Sequence, residues 1–357
     1  METALTTTAR SHRFDDLSEA LWPPERPAVE RDIRCRGCGQ RNRVQVSVAV
    51  LTPERYRCGS CEQPLFFGKD EALRGLSPAA YQHSRDRRLL ALLQSIPGAA
   101  SGIRWALERV GDRSVHLLFM SDAVRCDGEQ FPEIVALTAK ACSRLGVPRT
   151  PTVYLGESPF MNASTTGVGD PVIVVRSALL DQMDDTEVLA ILGHELGHLH
   201  SHHPLYQTVA HALLQAGASG SALVRVVGLP LQGALMRWSR AAELTADRAA
   251  LLVSRDLEAC MSMLFTLAAG NRPGTKERTR RRLAPFLRQC REVARYHTSH
   301  GLSGIMAGYL EMNRTHPHLA KRVVHLVEWV EHGSYLNILS GEYPRVGVSP
   351  PRLEGGS

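Results

Sequence analysis

The 357-residue sequence has no apolar run suited to an export signal or a membrane span. From Met1 to Asp16 it supplies threonine, arginine and histidine where a secretory leader needs a hydrophobic centre, which argues against a signal peptide. A helix crossing a bilayer needs about 20 mainly apolar residues. The one stretch that approaches this, Pro204–Val224, carries Tyr206, Gln207, His211 and Gln215 besides Gly217 and Gly220, and the following run Val226–Met236 is shorter still. Both read as buried or amphipathic helices, forming a hairpin whose polar stripe suits a water-filled cleft. The expected location is therefore cytoplasmic, with membrane contact at most peripheral. Repeats and low-complexity tracts are absent too. What remains, 43% hydrophobic and 22% charged residues, is an ordinary globular composition, long enough for one large domain and a small module.

The net charge of +6 is unevenly placed. Between Arg272 and Arg295, nine Lys and Arg face only Glu277 and Glu292, so that stretch alone carries +7. It reads as a solvated helix face and gives no clear nucleic-acid signal. Of the eight cysteines, Cys126, Cys142, Cys260 and Cys290 are scattered through helical patterns. Without an export signal they are expected to be free, buried thiols in a reducing compartment.

The other four are paired by spacing. Cys35-Arg-Gly-Cys38 and Cys58-Gly-Ser-Cys61 are two knuckles separated by nineteen residues, with alternating Val44, Val46, Val48 and Val50 between them. Two such knuckles joined by a hairpin form a zinc ribbon, in which four thiolates close a tetrahedral structural site. Rubredoxin-like iron is the alternative ion. So small a module needs its metal to fold, and its surface offers a contact for a protein partner.

The expected organisation is a flexible leader (1–30), the ribbon (31–70), a large domain (76–345) and a flexible tail (346–357). A linker is marked by Gly75-Leu-Ser-Pro78, and Ser77 is placed to cap the next helix. Ser84–Ser95 and Phe131–Leu145 read as helices, the second closed by Gly146 and Pro148. Thr152–Leu155 and Pro171–Val175 read as strands, and Asn162–Gly167 as turn-rich. The fold class is α+β, mainly α.

Asp185–His200 reads as one helix capped by Asp184, Asp185 or Thr186, and contains His194-Glu-Leu-Gly-His198. Histidines at i and i+4 share a face, so both imidazoles reach one ion, and Glu195 beside them can take a proton from water activated there. Zinc suits imidazole and carboxylate donors and keeps an open position for water. A metzincin arrangement needs Gly at 201 and His at 204, but the chain has Ser201 and Pro204. The third ligand is instead sought in the alanine-rich helix Trp238–Leu252. There Glu243 can bind the ion, and Asp247, again at i+4, can accept the free ring N–H of His194. His200, His202 and His203 are expected to face solvent at the helix end.

With these motifs in order, the chain resembles the HtpX-like and CAAX-prenyl-protease-like zinc metallopeptidases, which are gluzincins. The resemblance runs from about Leu76 to Tyr343. It rests on Asn162-Ala163 before an edge strand, Val172–Ser177 leading into the HExxH helix, Arg240–Asp247, and Thr315-His-Pro317 followed by Arg322. It implies His194, His198 and Glu243 as ligands of a catalytic zinc, Glu195 as catalytic base and Asp247 as the acid orienting a ligand. It further implies His316 and Arg322 near the reacting groups. An extended peptide would be held by Asn162, Ala163 and the strand Val172, Ile173, Val174 and Val175. The transmembrane helices of HtpX-type relatives have no clear counterpart here. The expected function is hydrolysis of peptide or protein substrates with two zinc ions per chain, one catalytic and one structural. The competing reading is a silent or latent metalloprotease-fold binding protein, regulated by partners through the ribbon.

Overall fold

The computed structural model describes residues 29–46, 56–95, 117, 120–167, 170–204, 206–207, 222–270, 276–298 and 319–347. The expected leader up to residue 28, residues 205 and 208–221 of the expected Pro204–Met236 hairpin, His316 and the tail from 348 lie outside these residues, while the Val226–Met236 run belongs to one continuous helix, Ala222–Ser254. Among the described residues no helix is long and apolar enough to cross a membrane.

Strands β1 (Val29–Arg34) and β2 (Arg41–Val46) pair antiparallel around the first knuckle. The two knuckles repeat one geometry. Cys35 N–H donates to Gln40 O and Gly39 N–H to Cys35 O, while Cys58 N–H donates to Gln63 O and Glu62 N–H to Cys58 O. The residue four after each leading cysteine is left-handed, at φ 74° for Gly39 and 59° for Glu62. Glycine takes that conformation freely, whereas Glu62 does so at a steric cost.

The expected linker is packed instead. Leu73 and Leu76 are fully buried, Leu76 pairs with Arg345, and Ser77 caps only a 3₁₀ turn at Pro78–Ala80. Leu65 and Phe66, together with Ile33 and Val44 of the ribbon, belong to the same core as the large domain. The ribbon is thus docked and not strung on a tether.

Helix α1 (Ser84–Gln94) comes next, then β3 (Val124–Cys126) and α2 (Pro132–Leu145), which ends on left-handed Gly146 at φ 76°. Strands β4 (Thr152–Gly156), β5 (Ala163–Thr166) and β6 (Val172–Arg176) complete a four-stranded sheet of order β3-β4-β6-β5. Only the β4–β6 pair is parallel. The turn-rich segment of the sequence is therefore an edge strand. Thr165 and Thr166 favour a strand, but the flanking Asn162 and Gly167 read as turn signals and hide it.

Helices α3 (Ser177–Gln182) and α4 (Asp185–His200) succeed the sheet. Asp184 begins α4 through a capping box, its carboxylate accepting from Thr186 and Glu187 N–H while the Glu187 side chain accepts from Asp184 N–H. Satisfying these otherwise orphaned donors fixes the helix start. The remaining helices are α5 (Ala222–Ser254), α6 (Leu257–Ala269), α7 (Lys276–Thr298), α8 (Leu319–Glu331) and α9 (Ser334–Leu339). The architecture is mainly helical with small sheets, as the sequence predicts.

Packing of α4 on α5 sets the centre of the molecule. A Cβ on Gly193 would stand 2.7 Å from Val253 Cβ and 3.1 Å from Ala250 Cα, and one on Gly197 would stand 2.5 Å from Ala249 Cβ. Glycine on one helix against alanine on the other brings the two backbones together, and the functional side chains with them.

Candidate metal centre and active site

Gly193 and Gly197 face α5, while His194 and His198, each one residue later, present their rings over the contact with Glu243. The His194 and His198 Nε2 atoms are 3.2 Å apart, and each stands 3.5 Å from a Glu243 carboxylate oxygen. All three side chains are buried. Zinc with ligand distances of about 2.0–2.1 Å sets tetrahedral donor atoms about 3.3 Å apart, so this donor set fits the ion.

Behind the donors, His194 Nδ1 lies 3.1 Å from Asp247 Oδ1. Asp247 in turn accepts from Arg322, at 2.8 Å from Nε and 2.6 Å from Nη2, and Arg322 Nη1 stands 3.3 Å from Glu243. The resemblance places Arg322 with the reacting groups. In the structure its guanidinium pairs with Asp247 and Glu243 and stands 3.4 Å from His194 Nδ1. Burial opposes the charge on Asp247, but Arg322 overcomes it and keeps that carboxyl below its usual range. His194 is pushed up to about 9, because the bonds to Asp247 and Glu243 outweigh the burial that disfavours protonation. Such a cluster of buried carboxylates attracts positive charge, and a divalent cation meets that demand.

Glu195 is buried beside the donors, and its Oε2 accepts from the Thr165 hydroxyl at 2.6 Å. Thr165 comes from edge strand β5. Asn162 and Ala163 lie at the start of that strand, with Asn162 O accepting from Arg176 N–H. The expectation for Val172, Ile173, Val174 and Val175 is corrected here. They form an interior strand, paired on one side with β4 and on the other with β5, and all four are buried. No backbone edge is left there for a peptide. Among the described residues the open edge on this side is β5.

Of the histidines after the motif, His202 faces solvent as expected, whereas His200 and His203 do not. His202 is exposed and left-handed, at φ 57°. His200 lies 3.0 Å from the Tyr81 hydroxyl, and His203 is fully buried with its Nδ1 3.0 Å from His198 Nδ1. His203 Nε2 reaches Asp86 Oδ2 at 3.1 Å. Thr165, His203 and Asp86 are the site residues that sequence reasoning missed. Helical spacing points to His202 instead of His203, and Asp86 is 117 residues away from His203.

In the ribbon, the four sulfurs lie within 4.8 Å of one another, with Cys35–Cys61 at 3.5 Å and Cys38–Cys58 at 3.6 Å. A Zn–S distance of about 2.3 Å implies about 3.8 Å between sulfurs. Gly37 N–H donates to Cys35 Sγ and Ser60 N–H to Cys58 Sγ. Backbone N–H bonds hold the Cys58 thiol down at about 6, whereas at Cys61 the Gln63 N–H bond is outweighed by the neighbouring sulfurs of Cys38 and Cys35, which push that thiol up to about 12. Cys126, Cys142, Cys260 and Cys290 are free and buried.

The model of peptidase family M48 matches residues 129–330, more than half of the chain. Plastoglobule-localized metallopeptidase 48 of Arabidopsis thaliana is 32% identical over 192 residues, which is 53% of this chain and 56% of that protein. A protease HtpX homolog of Acidiphilium cryptum is 34% identical over 113 residues, 31% of this chain and 38% of that one. A second HtpX homolog, from Dictyoglomus thermophilum, is 35% identical over 85 residues, 23% of this chain and 27% of that one. The chain thus spans about half or less of the length of these relatives, and no solved structure matches it. The matched region takes in both helices that bring His194, His198 and Glu243 together, and Arg322 behind them: the chain belongs to peptidase family M48.

Proposed function

We propose that this chain is a zinc-dependent endopeptidase in which His194, His198 and Glu243 hold the catalytic zinc and Glu195 is the general base. The observation that carries the reading is the convergence of two imidazole nitrogens and a carboxylate within 4.8 Å, with a second carboxylate, Glu195, held beside them by Thr165. When bound, the metal supplies Lewis acidity toward water and the scissile carbonyl. Glu195 takes the proton from the attacking water at its carboxylate and returns it to the leaving nitrogen. Asp247 fixes His194 by accepting its Nδ1–H, and Arg322 keeps Asp247 ionised and pairs with Glu243. The outer edge of β5 receives the peptide or protein substrate as an added strand, its main-chain hydrogen bonds holding the scissile carbonyl over the donor set. The four-cysteine unit at 31–70 holds a second, structural zinc and caps the domain at 76–345.

Glu195→Gln tests the reading. It should retain the metal and lower casein hydrolysis by at least about a hundredfold, the contribution typical of a general base, while His198→Ala should lose the catalytic metal as well. Hydrolysis by purified Glu195→Gln protein at the wild-type rate would overturn the assignment.

A further inference from the structure

We propose that His203, backed by Asp86, is a positioning residue for the metal centre that fixes the tautomer and ring orientation of His198. The inference rests on the reading of His198 as a zinc ligand. It starts at Asp86, whose side chain is fully buried on α1. Asp86 Oδ1 accepts the indole N–H of Trp238 at 2.9 Å, and Oδ2 accepts the Thr245 hydroxyl at 2.7 Å and the Gln82 amide at 3.2 Å. The Thr245 oxygen already accepts His83 N–H at 3.0 Å, so its own proton is directed to Asp86.

An ionised carboxylate only accepts, so the contact between His203 Nε2 and Asp86 Oδ2 requires the proton on Nε2. Neutral His203 then presents a lone pair at Nδ1. The 3.0 Å contact between His203 Nδ1 and His198 Nδ1 is a hydrogen bond only if His198 supplies the proton. His198 is thereby left with its Nε2 lone pair facing His194 Nε2 and Glu243. The proton order is dictated from Asp86 outward along the whole relay. The Gln207 amide nitrogen also stands 3.4 Å from His198 Nδ1, but it only donates and so makes no bond to a protonated Nδ1; the shorter contact with His203 sets the tautomer.

The backbone is arranged for this contact. His202 takes a left-handed conformation, φ 57°, straight after α4, so the chain turns back and brings His203 under His198. A β-carbon residue takes that conformation at a cost, which the buried relay offsets. The two histidine donors are therefore supported differently. His194 leans directly on a carboxylate, whereas His198 leans on one through a second imidazole.

Two measurements on the full-length protein test this. Histidine ¹⁵N NMR of the wild type should show His203 as the Nε2–H tautomer and His198 as the Nδ1–H tautomer. The Nδ1–H tautomer at His203 would overturn the relay whether or not any variant folds. In chelator competition, His203→Leu should weaken zinc binding at the His/Glu site by about ten- to a hundredfold, the usual cost of losing such a partner. It should also change the visible spectrum of the cobalt-substituted site while ribbon metal is retained. His203→Asn, which keeps an acceptor near the Nδ1 position, should recover most of that loss. Folded His203→Leu protein with wild-type zinc affinity and cobalt spectrum would refute the proposal. Failure of zinc to bind wild type at the His/Glu site would instead refute the underlying active-site reading, because the tautomers are measured independently.

Discussion

At the scale of single residues, Thr165 shows how a side chain without a sequence signature enters the chemistry. Its hydroxyl donates to Glu195 from a neighbouring strand at 2.6 Å, and a hydrogen bond to a charged group contributes roughly 1.5–3 kcal/mol. Thr165→Val should lower kcat about tenfold or more with KM little changed, and Thr165→Ser should restore it; steady-state kinetics on a peptide substrate decide. Two histidines outside the donor set tie stability to pH. Burial holds His83 down at about 3 and His200 at about 4, whereas the unfolded chain titrates near 6.5. Between those values the unfolded state binds protons the native state refuses, so stability rises with pH through this window and falls on acidification below about 6.5. Urea unfolding at pH 7.5 and pH 5 should show a smaller drop for His200→Gln than for wild type. Equal drops would remove His200 from the explanation.

At the scale of elements, the α4–α5 contact opposes local preference to tertiary packing. Helix propensity alone favours alanine over glycine by about 1 kcal/mol. A methyl group at Gly197, however, would lie 2.5 Å from Ala249 Cβ and 3.1 Å from Ala246 Cα, neither of which is the end of a flexible side chain. Gly197→Ala should therefore destabilise the protein by about 1–3 kcal/mol and reduce zinc content at the His/Glu site, because the helices that carry its donors are forced apart. Thermal melting and elemental analysis check both effects, and a more stable Gly197→Ala would mean that propensity wins. The same tension between pattern and packing shaped the sheet. Apolar β6 stands out in the sequence, but its very apolarity places it in the interior, and the polar β5 takes the edge.

At the scale of the whole molecule, the ribbon is part of the core. Arg31 Nη2 donates to His332 O at 2.5 Å, Arg36 lies 3.8 Å over the Phe67 ring, and Phe67 N–H donates to Leu339 O at 2.7 Å. The intact chain should hold about two metal ions. Cys38→Ser should leave one and lower the melting temperature by at least about 3 °C, since the clamp that holds Ile33 and Val44 in the shared core is loosened. A chain beginning at residue 71 discards buried Leu65 and Phe66 and should melt lower still. Melting at the full-length temperature would restore the picture of a separable module.

The sequence by itself singled out the candidate donors, because each rests on short-range periodicity: histidines one helical turn apart, acids one turn apart, cysteines in two short knuckles. It also determined α4, the strands β4 and β6 and the mainly helical class, all of which arise from local patterning, while the structure chose Asp184 among the three candidate caps. Only the tertiary structure decided what surrounds the donors. Asp86 meets His203 across 117 residues, Thr165 meets Glu195 across 30, and Arg322 meets Asp247 across 75. No periodicity encodes such pairings, because they arise when packed helices and a sheet edge bring distant side chains into one buried volume, where each polar group must find a partner.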